Sequence, residues 1–142
     1  MIIPDINLLV YAYNSDAPFH DEARGWWESR LSTPGVVGLP WAVILGFVRI
    51  MTSNALFTDP MEPPEAIAHV RSWLDCPQAH LVTPGPRHLE ILAHIMRFAR
   101  ASGRLTTDAH LAALAIETQS ELHSNDVDFA RFPGLRWVNP MA

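Results

Sequence analysis

The sequence predicts an α/β fold on a parallel sheet covered on both faces. Three observations lead there. Short runs of strand length recur at Ile2-Ile3, Val36-Val37-Gly38-Leu39, His80-Leu81-Val82-Thr83, Glu121-Leu122-His123-Ser124 and Leu135-Arg136-Trp137-Val138. Segments of helical period separate the first four of them. Prolines and turn formers close the runs, as Pro4, Pro40 and Pro84 do.

Each element has a local reason. The β-branched pair Ile2-Ile3 forms a short strand that Pro4 limits. Asp5 to Tyr13 reads as a short helix with Leu8, Leu9 and Ala12 on one face. Asn14 to Pro18 is turn chemistry, and a helix starts near Pro18 with Asp21 and Glu22 suiting its dipole. Ser32-Thr33-Pro34-Gly35 ends it. Trp41 to Met51 is apolar almost all round, which predicts a buried helix with Arg49 emerging near its end. After a loop to Pro63, Glu65 to Asp75 is amphipathic. A helix over Arg87 to Ala101 is expected to bury Leu89, Leu92, Met96 and Ala99, with Ser102-Gly103 as its cap. Thr106-Thr107-Asp108 opens the last helix, and Asn125 to Pro133 is a loop or a single turn. Trp41, Trp73 and Trp137 are expected in the core. Trp26 and Trp27 are adjacent on a helix, so one of them is expected to meet a partner.

Composition narrows the class. A chain of 142 residues suggests one domain, 1–142. One cysteine, Cys76, excludes an internal disulfide framework and a zinc-knuckle site. The net charge of −5 argues against coating nucleic acid through bulk positive charge, but not against local binding. No apolar run is long enough to span a membrane and no leader pattern is present, so a cytoplasmic protein is expected.

The acids carry the chemistry. In open α/β sheets, sites form beyond the carboxyl ends of the strands. Asp5 follows the first strand directly, Asp126 and Asp128 follow the fourth, and Asp108 opens the helix that feeds the fourth. If strands one and four are neighbours, the four carboxylates converge. Such convergence is unfavourable unless protons or a cation compensate it, and oxygen-only donors suit Mg²⁺ or Mn²⁺. Ions of this kind support phosphodiester hydrolysis. Taken singly, Asp108 also suits a helix cap and Asp126 a turn. Asp5 lies between Ile-Ile-Pro and Ile-Asn-Leu-Leu-Val, where burial without a partner is costly.

At this point the residues resemble a family. Pro4 to Ala12, Thr107 to Ala115, and Ser124 to Leu135 are similar, in order and spacing, to the motifs of PIN-domain ribonucleases, specifically VapC-type toxins of toxin–antitoxin pairs. The resemblance runs from Met1 to Asn139. It implies a three-layer α/β/α sandwich around a parallel sheet. It implies Mg²⁺- or Mn²⁺-dependent endoribonuclease activity, usually on tRNA or rRNA, a homodimer, and a cognate antitoxin whose tail blocks the acidic site. Asp5, Asp108 and Asp126 match the metal-binding acids and Asp128 an auxiliary acid. Ser124 and Asn125 match the polar pair that orients Asp126; Asn7 and Thr107 stand in the same motifs.

One position departs from the pattern. The family's second acid usually lies in the helix after strand two, in a pattern like Glu-Phe-x-Arg; here the stretch reads Gly46-Phe47-Val48-Arg49. Gly46 either permits close packing or marks a branch of the family, with Asp128 or Glu117 as substitute acids. One tightly held metal is expected.

RNA phosphates need positive partners near the acids. Arg49, Arg87, Arg97, Arg100 and Arg104 are the candidates, set against the ordinary reading of solvated helix faces. The histidines show no ligand spacing and are expected in surface or packing roles. Two competing readings are an RNA-binding or regulatory member with weak cleavage, which Gly46 favours, and a phosphatase- or receiver-type domain. The latter calls for a lysine, and the chain has none. The four site acids excepted, eleven acids face ten arginines, so most of the net negative charge belongs to the site.

Overall fold

A computed structural model describes residues 1–142. Five strands pair in parallel: β1 (Ile2–Pro4), β2 (Val37–Pro40), β3 (Ala79–Val82), β4 (Glu121–His123) and β5 (Arg136–Val138), in the order β3-β2-β1-β4-β5. β1 is central and pairs with β4 as Ile2↔Glu121, Ile3↔Leu122 and Pro4↔His123. That neighbour relation brings the ends of strands one and four together, as the convergence of the acids requires.

Pro4 and Pro40 close strands inside the sheet, where they can do so only at the strand ends. Beyond Pro4 the ladder gains one more bond, from the Asp5 N–H to the His123 carbonyl at 2.8 Å.

Six α-helices cover the two faces. α1 (Ile6–Tyr13) packs on α2 (His20–Ser32) and α3 (Trp41–Met51), and α3 on α4 (Pro63–Leu74). The other layer holds α5 (His88–Ala99) against α6 (Thr106–Glu117), with α6 on β1 and β4. The architecture is a three-layer α/β/α sandwich. α6 is short in bulk but dense in burial: Ala109, Leu111, Ala112, Ala113, Leu114 and Ala115 are all closed to solvent. Small residues let this helix lie close on the sheet, which fixes Asp108 in its first turn.

Several sequence expectations need correction. α2 begins at His20, so Pro18 precedes the helix and does not open it. α4 begins earlier than expected and carries proline in its first turn. α5 is rotated from its expected phase. Leu89 is 78% exposed, and the buried residues are His88, Ile91 and Ile95. His88 takes a packing role, as expected of some histidines: its Nε2 meets His110 Nδ1 at 2.9 Å, with Glu117 3.7 Å from its other nitrogen. His110 on α6 satisfies Nε2, while Nδ1 is buried without a hydrogen-bond partner, Glu117 standing beyond that reach. The left-handed residue ending α5 is Arg100, with φ 53°; Gly103, with φ 59°, belongs to the 3₁₀ turn Gly103–Leu105 before α6. α3 is not buried all round, since Trp41 is 51% and Leu45 61% exposed. Trp26 serves the fold itself, its ring stacked on His123 at 5.7 Å while Trp27 lies in the core. Trp73 is buried as expected, and Trp137 is half-buried.

Candidate metal centre

Asp5 is 6% exposed, at the junction of β1 and α1. Its backbone is extended and its side chain caps the helix, with Oδ1 accepting from the Ile6 N–H at 2.7 Å. Its other oxygen, Oδ2, accepts from the hydroxyl of Ser124 at 2.7 Å. The carboxylate is thus held on both sides, by the first N–H of α1 and by the hydroxyl that follows β4. Burial pushes its pKa up, and the Ser124 and Ile6 hydrogen bonds oppose that shift.

Ser124 is fully buried at the end of β4 and uses its whole hydrogen-bonding capacity. It donates to Asp5, and accepts from the Asp126 N–H at 3.0 Å and from Asn7 Nδ2 at 3.3 Å. One hydroxyl therefore ties together the first motif and the last. Trp137 Nε1 donates to the Ser124 carbonyl at 3.0 Å, so β5 braces the same residue. Asn7 Oδ1 is buried without a hydrogen-bond partner.

Asp126 caps the 3₁₀ turn Val127–Arg131, its Oδ1 accepting from the Asp128 N–H at 2.9 Å. That turn presents Asp128 beside it. Asp108 comes from the first turn of α6. Asp108, Asp126 and Asp128 can each bring one carboxylate oxygen within 4.8 Å of the others. Asp5 stands beside this trio, close enough for its charge to act on Asp108. The crowding is felt at Asp108: burial, then the charges of Asp5, Asp126 and Asp128, push its pKa up to about 6, against a smaller opposing pull from Arg104. Like charge crowded among hard oxygen donors, only partly offset by arginine, suits a divalent cation of the Mg²⁺ or Mn²⁺ type.

Other expected site residues are placed differently. Asn125 accepts from Asn139 Nδ2 at 3.1 Å, so it ties the loop to the chain end, while Ser124 does the orienting of Asp126. Thr107 is exposed beside Asp108. Glu117 cannot replace the absent acid. It ends α6, nine residues from Asp108 or roughly 14 Å along the axis. Its oxygens accept from the Gly85 and Arg87 N–H groups at 2.9 and 3.0 Å. The same contact places Arg87 away from the acids. Arg49, Arg97 and Arg100 are exposed and pair with no carboxylate; Arg104 reaches Asp128 at 3.6 Å. Arg131, which sequence reasoning missed, stands 3.7 Å from Asp128. Its i,i+3 spacing from Asp128 on a turn was the available signal.

At Gly46 the structure shows what fills the missing acid's direction. A Cβ built on Gly46 would run into the Ile6 side chain, meeting Cγ1 at 2.9 Å and Cδ1 closer still. Gly46 is a packing glycine, and its partner is the residue next to Asp5.

The model of the PIN domain matches residues 2–135. The chain belongs to the PIN-domain family. Among known proteins it is 44% identical to the ribonuclease VapC33 of Mycobacterium tuberculosis over 141 residues, 99% of each chain. It is 42% identical to ribonuclease VapC37 of the same organism, over 100% of this chain and 99% of that one. Among solved structures, VapBC2 of Rickettsia felis bound to a promoter DNA fragment aligns with a TM-score of 0.72 at 16% identity, covering 98% of each chain. Mycobacterium tuberculosis VapC20, a sarcin-ricin-loop-cleaving toxin, aligns with a TM-score of 0.65 at 18% identity, over 96% of this chain and 99% of that one. The PIN chain described here is thus a VapC-type ribonuclease by sequence, with the fold of those toxins.

Proposed function

We propose that this chain is the toxin of a toxin–antitoxin pair, a Mg²⁺- or Mn²⁺-dependent endoribonuclease whose centre is Asp5, Asp108, Asp126 and Asp128. The observation that carries the reading is Ser124, whose one hydroxyl fixes Asp5 and Asp126 beside Asp108 in a VapC-related chain. Asp108 and Asp126 would hold the cation, with Asp5 adjoining them. When bound, such an ion stabilises negative charge on a phosphodiester and acidifies a water. The chain's own part is orientation. Ser124 opposes the upward shift of the Asp5 carboxyl and aims it, and the Asp126 cap holds the turn that carries Asp128.

The substrate class is RNA, with tRNA or rRNA as the expected targets, and the partner is a cognate antitoxin that covers the acidic centre. No helix is long and apolar enough to cross a membrane, in keeping with action on cytoplasmic RNA. A homodimer is part of the same reading, supported by Trp41 and Leu45 standing one turn apart and exposed on α3.

The test is incubation of the purified protein with total RNA, with and without Mn²⁺ or Mg²⁺, beside Asp5→Asn. Metal-dependent cutting that the variant loses is the expected outcome. Equal cutting by both proteins would dismiss the site. A second reading, RNA binding with weak cleavage, draws on the Ile6–Gly46 contact, which leaves no place for a further acid. Metal-independent RNA binding without cutting would favour it.

A further inference from the structure

Asp128 is the one acid of the centre with cationic partners. Arg104 Nη1 lies 3.6 Å from Asp128 Oδ2, and Arg131 Nη2 lies 3.7 Å from Asp128 Oδ1. The remaining ion pairs of the chain involve Glu28, Glu117 and Glu121, so Asp5, Asp108 and Asp126 have no such partner. The two guanidiniums converge from different elements, Arg104 from the 3₁₀ turn before α6 and Arg131 from the end of the one after β4. Guanidinium hydrogen bonds within the chain belong to Arg24 and Arg136, which leaves the donor forks of Arg104 and Arg131 open. Arg104 is 80% exposed, so its fork faces solvent.

Charge divides the acids into two kinds. Asp128 faces two guanidiniums, so the charge of its corner is offset while that of Asp108 and Asp126 beside it is not. Asp108 and Asp126 lack an ion-pair partner and attract a cation. A cation placed on Asp128 would sit against two guanidiniums, which is unfavourable. Without Asp128 those guanidiniums would repel each other and swing apart. Arginine forks suit phosphate oxygens through paired N–H donors.

We propose that Asp128 is a positioning residue and not a metal ligand: it holds Arg104 and Arg131 so that their open donors take RNA phosphates beside the acidic centre. The proposal rests on the ribonuclease reading above.

The experiment compares wild type, Asp128→Asn, Asp126→Asn and the pair Arg104→Ala/Arg131→Ala. Calorimetric Mn²⁺ titration should show Asp126→Asn weakened more than Asp128→Asn, because only Asp126 would lose a donor atom while Asp128 would lose a neighbouring charge. Anisotropy with a labelled RNA of about 20 nucleotides in EDTA reads the arginines without cleavage. The arginine pair should lower the salt slope of binding by about 1.4, two phosphate contacts on a single strand. In the Asp128→Asn background the same two substitutions should cost less RNA affinity than in wild type, because the forks are no longer held. Loss of Mn²⁺ binding in Asp128→Asn equal to that in Asp126→Asn overturns the proposal, as does an unchanged salt slope or an unchanged arginine cost. Cleavage of total RNA by wild type separates the two levels. Wild type that cuts beside arginine variants with normal RNA binding removes this inference alone; wild type that cuts under no metal removes both.

Discussion

Ser124 and Asp5, 119 residues apart in the chain, share a buried hydrogen bond of 2.7 Å in which the hydroxyl donates to the carboxylate. The bond holds a costly buried charge in place and opposes the upward shift of its pKa. Ser124→Ala removes that donor and orphans the Asp126 N–H as well. The expected result is a destabilisation of about 2 kcal/mol, the scale of a lost hydrogen bond to a charged group, seen in urea unfolding. Cleavage should fall and its acidic limb should move to higher pH, because Asp5 then needs a higher pH to ionise. Thr in place of Ser124 keeps the hydroxyl and should restore the pH profile. A Ser124→Ala enzyme with the wild-type pH profile would remove Ser124 from the site.

Asp108 sets a pH dependence of stability in the metal-free protein. Its pKa rises from 3.8 to about 6 in the fold, with burial as the largest cause. The folded chain therefore holds that proton more tightly than the unfolded chain. The penalty is absent below 3.8, grows as pH rises toward about 6, and is complete above it. Asp5 is shifted in the same direction and adds to the trend. Melting in EDTA should accordingly show a contribution to Tm that declines across this window, and that Asp108→Asn reduces to the part left by Asp5. Mn²⁺ at a hundred times its Kd should add about 2.7 kcal/mol at pH 7, roughly 8 °C for a chain of this size. The gain should shrink at pH 5, where protons compete for Asp108. An equal gain at both pH values would count against Asp108 as a ligand.

The Ile6–Gly46 contact makes a prediction about packing and metal number together. Gly46→Ala gains about 1 kcal/mol of helix propensity but overpacks against Ile6, which typically costs about 1–3 kcal/mol. Net destabilisation is expected, and Ile6→Ala in the same chain should relieve most of it, a coupling that a double-mutant cycle measures. Gly46→Glu alone should fold poorly. Ile6→Ala with Gly46→Glu opens room for the carboxylate next to Asp5, and Mn²⁺ titration should then show binding beyond the wild-type stoichiometry. If Gly46→Glu alone folds as well as wild type, Ile6 does not block that position.

Much of this was legible in the chain, for physical reasons that differ by element. Strands such as Ile2–Pro4 are short, apolar and stopped by proline, so their existence and parallel order follow from local signals. Asp5 was legible because an acid between two apolar runs must be buried. The phase of α5 was not. Leu89, Leu92 and Met96 offer one apolar stripe and Ile91 and Ile95 another, and the choice falls to His88, whose partners His110 and Glu117 lie on a different helix. The Ile6–Gly46 contact was hidden for the same reason, since it depends on a neighbour brought by the fold, whereas Arg131 was within reach of local spacing. Trp41 and Leu45 misled because an apolar helix reads as buried whether its neighbour is the core or another molecule.

That last ambiguity has a direct test. Trp41 and Leu45 lie four residues apart on α3, both exposed, and Leu81 is exposed on β3, the edge strand of the sheet. Large exposed apolar side chains on one helix and on an edge strand favour a second surface, and a stable pair of subunits buries about 800 Å² on each. Equilibrium sedimentation of wild type should therefore give twice the chain mass of 15.9 kDa. Leu45→Glu places a charge inside that contact and should shift the protein to monomer at micromolar concentration. Its circular dichroism should stay that of wild type, because Leu45 is 61% exposed and outside the core. A wild-type monomer, or a Leu45→Glu protein that remains dimeric, would move the subunit contact away from α3.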